Sequence, residues 1–116
     1  MADIKSDFEK LSMEFSRQQN SINDLADARS KLETQYQENK IVLEEFEFLN
    51  EDSKIYKLTG PVLMPQDFGE AKMNVTKRIE FIQGEIKRVE DKIEKEQKSM
   101  EETRNKLLAV RAQMGN

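Results

Sequence analysis

The 116-residue chain contains no cysteine and no histidine. Without cysteine it has no thiol nucleophile, disulfide or redox motif, and without both residue types it has no Cys/His zinc site. Without histidine it lacks the side chain that most often transfers protons near neutral pH. It also has no glycine-rich phosphate-binding loop. These absences predict that the chain is not an enzyme and uses no metal or cofactor.

Apolar residues are also scarce. Hydrophobic residues make up 36% of the chain, and charged residues make up another 36%. This apolar share is too small to fill the centre of a globular domain, but it suffices for a narrow seam between two helices. No apolar run approaches the 18 residues of a membrane-spanning helix, and residues 1–10 lack the apolar stretch of a signal peptide. We therefore expect a soluble intracellular protein with no membrane partner.

The charge balance is slightly acidic. The chain has 19 Lys and Arg residues against 23 Asp and Glu residues, which gives a net charge of -4. A protein that binds nucleic acid by electrostatic attraction needs an excess of basic residues to neutralise phosphates. We therefore expect no nucleic-acid partner.

Glycine and proline divide the chain into two long arms and a short middle. Residues 1–59 contain neither residue type, and Gly60, Pro61, Pro65 and Gly69 then follow within ten residues. Glycine and proline are the strongest local breakers of regular structure. Their distribution predicts two long helices separated by one short segment of another kind.

Both arms carry apolar residues at alternating spacings of four and three, which is the heptad pattern of a coiled coil. In the first arm the seam positions are Ile4, Phe8, Leu11, Phe15, Gln18, Ile22, Leu25, Arg29, Leu32, Tyr36, Asn39, Leu43 and Phe46. In the second arm they are Val75, Ile79, Ile82, Ile86, Val89, Ile93, Glu96, Met100, Thr103, Leu107, Val110 and Met114. The pattern predicts a mainly α protein, with a long antiparallel two-helix coiled coil of helices at about 3–49 and 67–114. Polar Arg29 and Asn39 are predicted to set its register.

The start of the second helix is indicated by Asp67, with Glu70 three residues later. This spacing is typical of a capping box, in which the first side chain accepts a hydrogen bond at the helix N-terminus. Asp67 is therefore the predicted cap.

The middle segment has the composition of a β-hairpin at about 54–65. Residues 54–58 and 62–64 are strand-like, residues 59–61 form a turn, and Pro65 should end the second strand. A lone hairpin has two open edges, which pair readily with other strands. We therefore expect its apolar residues to mediate oligomerisation: Ile55, Tyr56, Leu58, Val62, Leu63 and Met64. The alternative is a hairpin that folds back on its own helices.

Residues 56–63 resemble the hairpin signature of β-class prefoldin subunits. Residues 66–72 and 75–88 resemble the start of the second helix in that family, and residues 31–46 resemble the end of its first helix. The resemblance is specific over roughly residues 29–90, and outside that span the chain has only the coiled-coil pattern. It implies that residues 1–116 form a single prefoldin β-type domain, with the hairpin inserted between the two helices.

The resemblance also implies a function and partners. Prefoldin is a hetero-hexameric co-chaperone, so the partners of this chain would be two α-class and three further β-class subunits. The hairpins would build a joint β-barrel platform from which six coiled coils project. Their ends would hold unfolded proteins, such as nascent actin and tubulin, and deliver them to the cytosolic chaperonin without ATP. The implied location is cytoplasmic, with the nucleus as a second compartment.

Apolar residues near the two chain termini are the predicted client-binding residues: Ile4, Phe8, Leu11, Met13, Phe15, Leu107, Leu108, Val110 and Met114. Polar residues at three nearby seam positions, Gln18, Glu96 and Thr103, should weaken the pairing there and let the ends open. The alternative is that most of these apolar residues only form the seam. A second reading of the whole chain is a structural coiled-coil adaptor that uses the hairpin for oligomerisation.

Overall fold

The computed structural model describes residues 3–52 and 65–115 and contains two long helices. Helix α1 comprises Ile4–Asp52, which is 49 residues, and helix α2 comprises Pro65–Met114, which is 50 residues. No strand occurs within the described residues. The prediction of a mainly α chain with two long helices is confirmed.

The helix ends differ from the predicted ones. Helix α1 ends at Asp52 rather than near residue 49, and helix α2 begins at Pro65 rather than near residue 67. Proline suits the first helical position because its φ is already helical and its missing N–H has no partner there in any case. Asp67 therefore lies within the first turn of α2, and the capping role of its side chain stays a prediction. Pro65 is a helical residue and not the end of a strand.

The predicted hairpin lies almost entirely between the two helices, at residues 53–64. These residues are outside the described part of the chain. The six predicted oligomerisation residues, Ile55, Tyr56, Leu58, Val62, Leu63 and Met64, all belong to this segment. Their role therefore stays a prediction.

The chain divides into two compact units. The central unit comprises Ser30–Lys87, and the terminal unit comprises Met1–Arg29 and Arg88–Asn116. Each unit contains one segment of α1 and one segment of α2. The two units are described separately below.

In the central unit the two helix segments are antiparallel. The rings of Phe46 and Phe68 meet edge to face with their centroids 5.2 Å apart. Further along, Arg78 Nη1 donates to Asn39 Oδ1 at 3.4 Å, and Gln83 Nε2 donates to the Tyr36 hydroxyl at 3.4 Å. Asn39 thus bonds to the opposite helix, and its role in setting register stays a prediction.

The apolar core of the central unit lies on α2. Its buried side chains are Phe68, Val75, Ile79 and Ile82. The seam residues of α1 in this unit, Leu32, Tyr36, Leu43 and Phe46, are only half-buried. One helix therefore supplies the buried ridge, and the other covers it with side chains that keep part of their surface in water.

In the terminal unit the helix segments are also antiparallel, and charged pairs connect them. Arg29 Nη2 lies 2.9 Å from Glu90 Oε2, and Arg17 Nη2 lies 3.6 Å from Glu96 Oε1. Both pairs are partly exposed to water, so each adds little to stability. Among the described residues of this unit the buried side chains are polar Gln18 and Thr103, and none is apolar.

The packing of the central unit predicts that substitutions at two neighbouring residues have very different effects on stability. Ile82 is 4% exposed and Phe81 is 67% exposed. We expect Ile82→Ala to lower the free energy of unfolding by about 2 kcal/mol or more, because it leaves a cavity in the buried ridge of α2. Phe81→Ala should change it by less than about 0.5 kcal/mol. Urea unfolding followed by far-UV circular dichroism measures both, and equal effects would contradict the assignment of the core.

Candidate functional site

The free end of the terminal unit carries an open groove between the two helices. The groove has a volume of about 440 Å³ and is lined by Asp7, Lys10, Leu11, Lys106, Ala109 and Val110. Leu11 and Val110 provide its apolar surface, and the two lysines stand at its edges. The long alkyl stems of lysine cover apolar surface while the ammonium groups stay in water. The groove can therefore accept an apolar side chain of another polypeptide.

The predicted client-binding residues all lie in this unit, but they differ in exposure. Four are exposed at their surface: Ile4 at 40%, Met13 at 74%, Leu108 at 56% and Met114 at 46%. The others, Phe8, Leu11, Phe15, Leu107 and Val110, are half-buried. Met13 and Leu108 lie off the seam, so packing between the two helices does not account for their apolar character.

Sequence reasoning missed the polar members of the groove, Asp7, Lys10 and Lys106. The heptad pattern identifies the seam and says nothing about which flanking residues border an opening. Lys10 directly precedes Leu11, and Lys106 directly precedes Leu107. Basic residues next to seam positions near both termini are the signal that could have indicated them.

A polar layer separates this end from the rest of the terminal unit. Gln18 is only 3% exposed, and its Nε2 donates to Glu14 Oε1 at 3.3 Å. The Gln18 Oε1 atom is buried and has no hydrogen-bond partner among the described residues. An unsatisfied buried polar atom costs about 1–3 kcal/mol. The layer therefore weakens the helix pairing at the position where an apolar side chain would strengthen it.

Charged and hydroxyl groups complete the polar layer. The Glu96 Oε1 atom is also buried without a hydrogen bond, and its nearest described cation is Arg17, 3.6 Å away. The Thr103 hydroxyl donates to the Ser99 carbonyl within its own helix at 3.0 Å, so it adds no bond between the helices. The predicted polar seam positions are thus in place, and two of the three have an unsatisfied oxygen.

Arg17 lies closer to Glu14 on its own helix α1 than to Glu96 on α2. Its Nη2 donates to Glu14 Oε1 at 2.6 Å, and its Nε donates to Glu14 Oε2 at 3.1 Å. These hydrogen bonds lower the pKa of the Glu14 carboxyl and raise that of the Arg17 guanidinium. Glu14 therefore stays charged at neutral pH and competes with Glu96 for the same cation, so the bond across the helices stays long.

The site has the chemistry of a binding surface. Within residues 3–52 and 65–115, no three Asp or Glu side chains are grouped as a metal site would require. In the same ranges, neither helix has a stretch long and apolar enough to span a bilayer. What the terminal unit offers is exposed aliphatic and thioether surface beside an open groove.

Comparison with known proteins identifies the family. The family model described as prefoldin subunit matches residues 9–113, which is nearly the whole chain. The chain belongs to the prefoldin subunit family. Prefoldin subunits are chaperones and are not known as enzymes. The match includes both helices and the segment between them, so it extends well beyond the roughly 29–90 span of the resemblance noted in the sequence.

Curated prefoldin relatives agree with this assignment. The chain is 48% identical over 101 residues to prefoldin subunit 6 of Saccharomyces cerevisiae, covering 87% of this chain and 89% of that protein. It is 40% identical over 108 residues to prefoldin subunit 6 of Arabidopsis thaliana, covering 90% and 84%. Within the β class, the helix segments resemble those of the eukaryotic subunit 6, and the relatives have that name. No solved structure matches the chain.

The polar layer yields a test of stability. We expect Gln18→Leu to raise the free energy of unfolding by about 1–2 kcal/mol, because it removes a buried unsatisfied oxygen and adds apolar contact. Gln19→Leu is the matched control, since Gln19 is exposed on the next position of the same helix. Chemical denaturation of the two variants measures the difference. A Gln18 variant less stable than the parent chain would show that the amide strengthens the seam.

Proposed function

We propose that this chain is a β-class subunit of a hetero-hexameric prefoldin and binds unfolded polypeptides at its terminal unit. The observation that carries the proposal is the 48% identity to a prefoldin subunit 6 across 87% of the chain. The remaining five subunits would be two of the α class and three of the β class. The clients would include nascent actin and tubulin, which the complex would deliver to the cytosolic chaperonin without ATP. The complex would work in the cytoplasm and also in the nucleus.

Capture would depend on apolar surface that is exposed before the client arrives. Met13 and Leu108 are more than half exposed, and the groove beside Leu11 and Val110 is open. Methionine is flexible and polarisable, so it adapts to client side chains of different shapes. Each buried CH₂ contributes only about 0.8 kcal/mol, so a single end would bind weakly.

Opening of the terminal unit would add further surface. The polar layer at Gln18 and Glu96 lowers the cost of separating the helices there, and separation would uncover Phe8, Phe15 and Leu107. Weak binding at one end is compatible with firm capture by the complex. Once one end holds a client, the other linked ends are at a high effective concentration near the same client. A client would then be released step by step as individual ends detach.

The exposed residues off the seam give a direct test of capture. In the reconstituted complex, we expect Met13→Glu combined with Leu108→Glu to reduce suppression of client aggregation severalfold, since both side chains would repel apolar segments. Met73→Glu is the matched control, because Met73 is 54% exposed in the central unit. Light scattering from a chemically unfolded client measures the effect. Unchanged suppression would remove both residues from the client site.

Assembly would depend on the hairpin predicted at residues 54–65. We expect Leu58→Lys combined with Val62→Lys to abolish incorporation into the complex while the helix content of the chain is retained, because buried lysines are costly at a strand interface. Native mass spectrometry of the reconstituted subunits, with circular dichroism of the isolated chain, measures both. A variant that still assembles would refute the role of the hairpin.

The native mass of the complex recovered from its own cells separates this proposal from the structural adaptor. Six different chains of similar size, with this chain present once, are expected for prefoldin. A homodimer or a monomer would favour the adaptor, since an adaptor needs the hairpin only for pairing. Aggregation assays on the recovered complex then test whether it binds non-native clients.

A further inference from the structure

One carboxylate of the terminal unit binds two hydrogen-bond donors of its own helix beside the polar layer. Glu14 accepts from the Arg17 guanidinium at 2.6 Å and 3.1 Å, and from the Gln18 amide at 3.3 Å. Residues three and four apart lie on the same side of a helix, so Glu14 reaches both donors from one position. Among the described residues, neither donor forms a hydrogen bond with α2. Glu14 thus keeps both donors paired within α1.

Two buried acceptors of the polar layer are left without partners. The Gln18 Oε1 and Glu96 Oε1 atoms are both buried, and neither accepts a hydrogen bond from a described residue. Arg17 Nη2 lies 3.6 Å from Glu96 Oε1, whereas a charged hydrogen bond is about 2.8 Å long. A shift of the guanidinium by about 0.8 Å toward α2 would therefore satisfy a buried oxygen and join the two helices.

A second arginine of the same unit has no such competitor three residues before it. Arg29 donates to Glu90 on α2 through Nε at 3.2 Å and through Nη2 at 2.9 Å. The residue three positions before Arg29 is Ala26, whereas Glu14 occupies that position before Arg17. Both arginines lie near a glutamate of α2, and only the one preceded by alanine reaches it within hydrogen-bond distance. The contrast attributes the longer distance of the other pair to Glu14.

We propose that Glu14 is a positioning residue for client capture, which keeps the terminal unit easy to open. By holding Arg17 and Gln18 on α1, it withholds from Glu96 the donors that would join the two helices. Glu14 itself contacts no client and acts through Arg17. The consequence for capture rests on the proposed function, in which opening of the terminal unit uncovers apolar residues of the seam.

Amide hydrogen exchange in the reconstituted complex measures the opening. We expect Glu14→Gln to slow exchange in peptides of the terminal unit about threefold or more, because the released guanidinium pairs with Glu96. Peptides of the central unit should exchange as before. Glu94→Gln is the matched control, since it removes the 3.5 Å ion pair between Glu94 and Lys98 within α2. The control should leave exchange unchanged or slightly faster. Unchanged or faster exchange in the Glu14 variant overturns the proposal.

Arg17→Met tests whether Glu14 acts through the guanidinium. The Arg17 side chain is 59% exposed, and methionine retains the apolar character of its stem. In this background Glu14→Gln should give less than half of the slowing that it gives in the parent chain, because no cation remains to reach Glu96. Slowing of half or more would mean that the substitution stabilises the unit by another route, and the inference would fail.

An aggregation assay on the same complexes connects opening with capture. Glu14→Gln should lower the suppression of client aggregation about twofold, because the open form is less populated, and Glu94→Gln should not. Slower exchange with unchanged suppression would overturn the inference and leave the proposed function intact. If the complex of the parent chain suppresses no aggregation, or if the parent chain enters no hexamer, the proposed function itself fails.

Discussion

Where two helix segments pack against each other, the apolar side chains that they bury must lie in the seam between them. A heptad spacing satisfies this constraint because it keeps the same face of each helix turned toward its partner. Within residues 3–52 and 65–115 no second layer covers the outer faces of the helices, and most seam residues keep part of their surface in water. Four large apolar side chains are buried among the described residues, all of them on α2. Stability is therefore concentrated in a few positions rather than distributed through a core.

The two units differ in the side chains that are buried between their helix segments. The central unit buries apolar residues and joins aromatic rings across the helices, whereas the terminal unit buries Gln18 and Thr103. A buried polar side chain lowers stability more in a two-helix seam than in a larger core, since few neighbouring groups can form hydrogen bonds with it. The weak pairing lies next to the apolar groove and to the residues proposed to hold clients. Marginal packing is thus located where a chaperone benefits from exposing apolar surface.

The helices could be predicted from the sequence because their period is long, regular and nearly free of glycine and proline. Their ends were less predictable. Pro65 is compatible both with the end of a strand and with the first turn of a helix, and only the fold decides between them. The first helix was predicted to end near residue 49, yet it continues to Asp52. The lysines that line the groove of the terminal unit, Lys10 and Lys106, escaped the sequence argument, since a heptad pattern identifies the seam and not the residues that flank it. The competition of Glu14 and Glu96 for Arg17 depends on side-chain positions that no spacing rule specifies.

Because the buried ridge lies on α2, the two helices should tolerate substitutions to different extents during evolution. Nearly any change to Val75, Ile79 or Ile82 removes contacts that no other residue can replace. The opposing positions on α1 are only half-buried, so a substitution there removes fewer packing contacts. Mutational drift should therefore run faster along α1 than along the part of α2 that faces it. Two helices of nearly equal length would then differ in how far their sequences diverge.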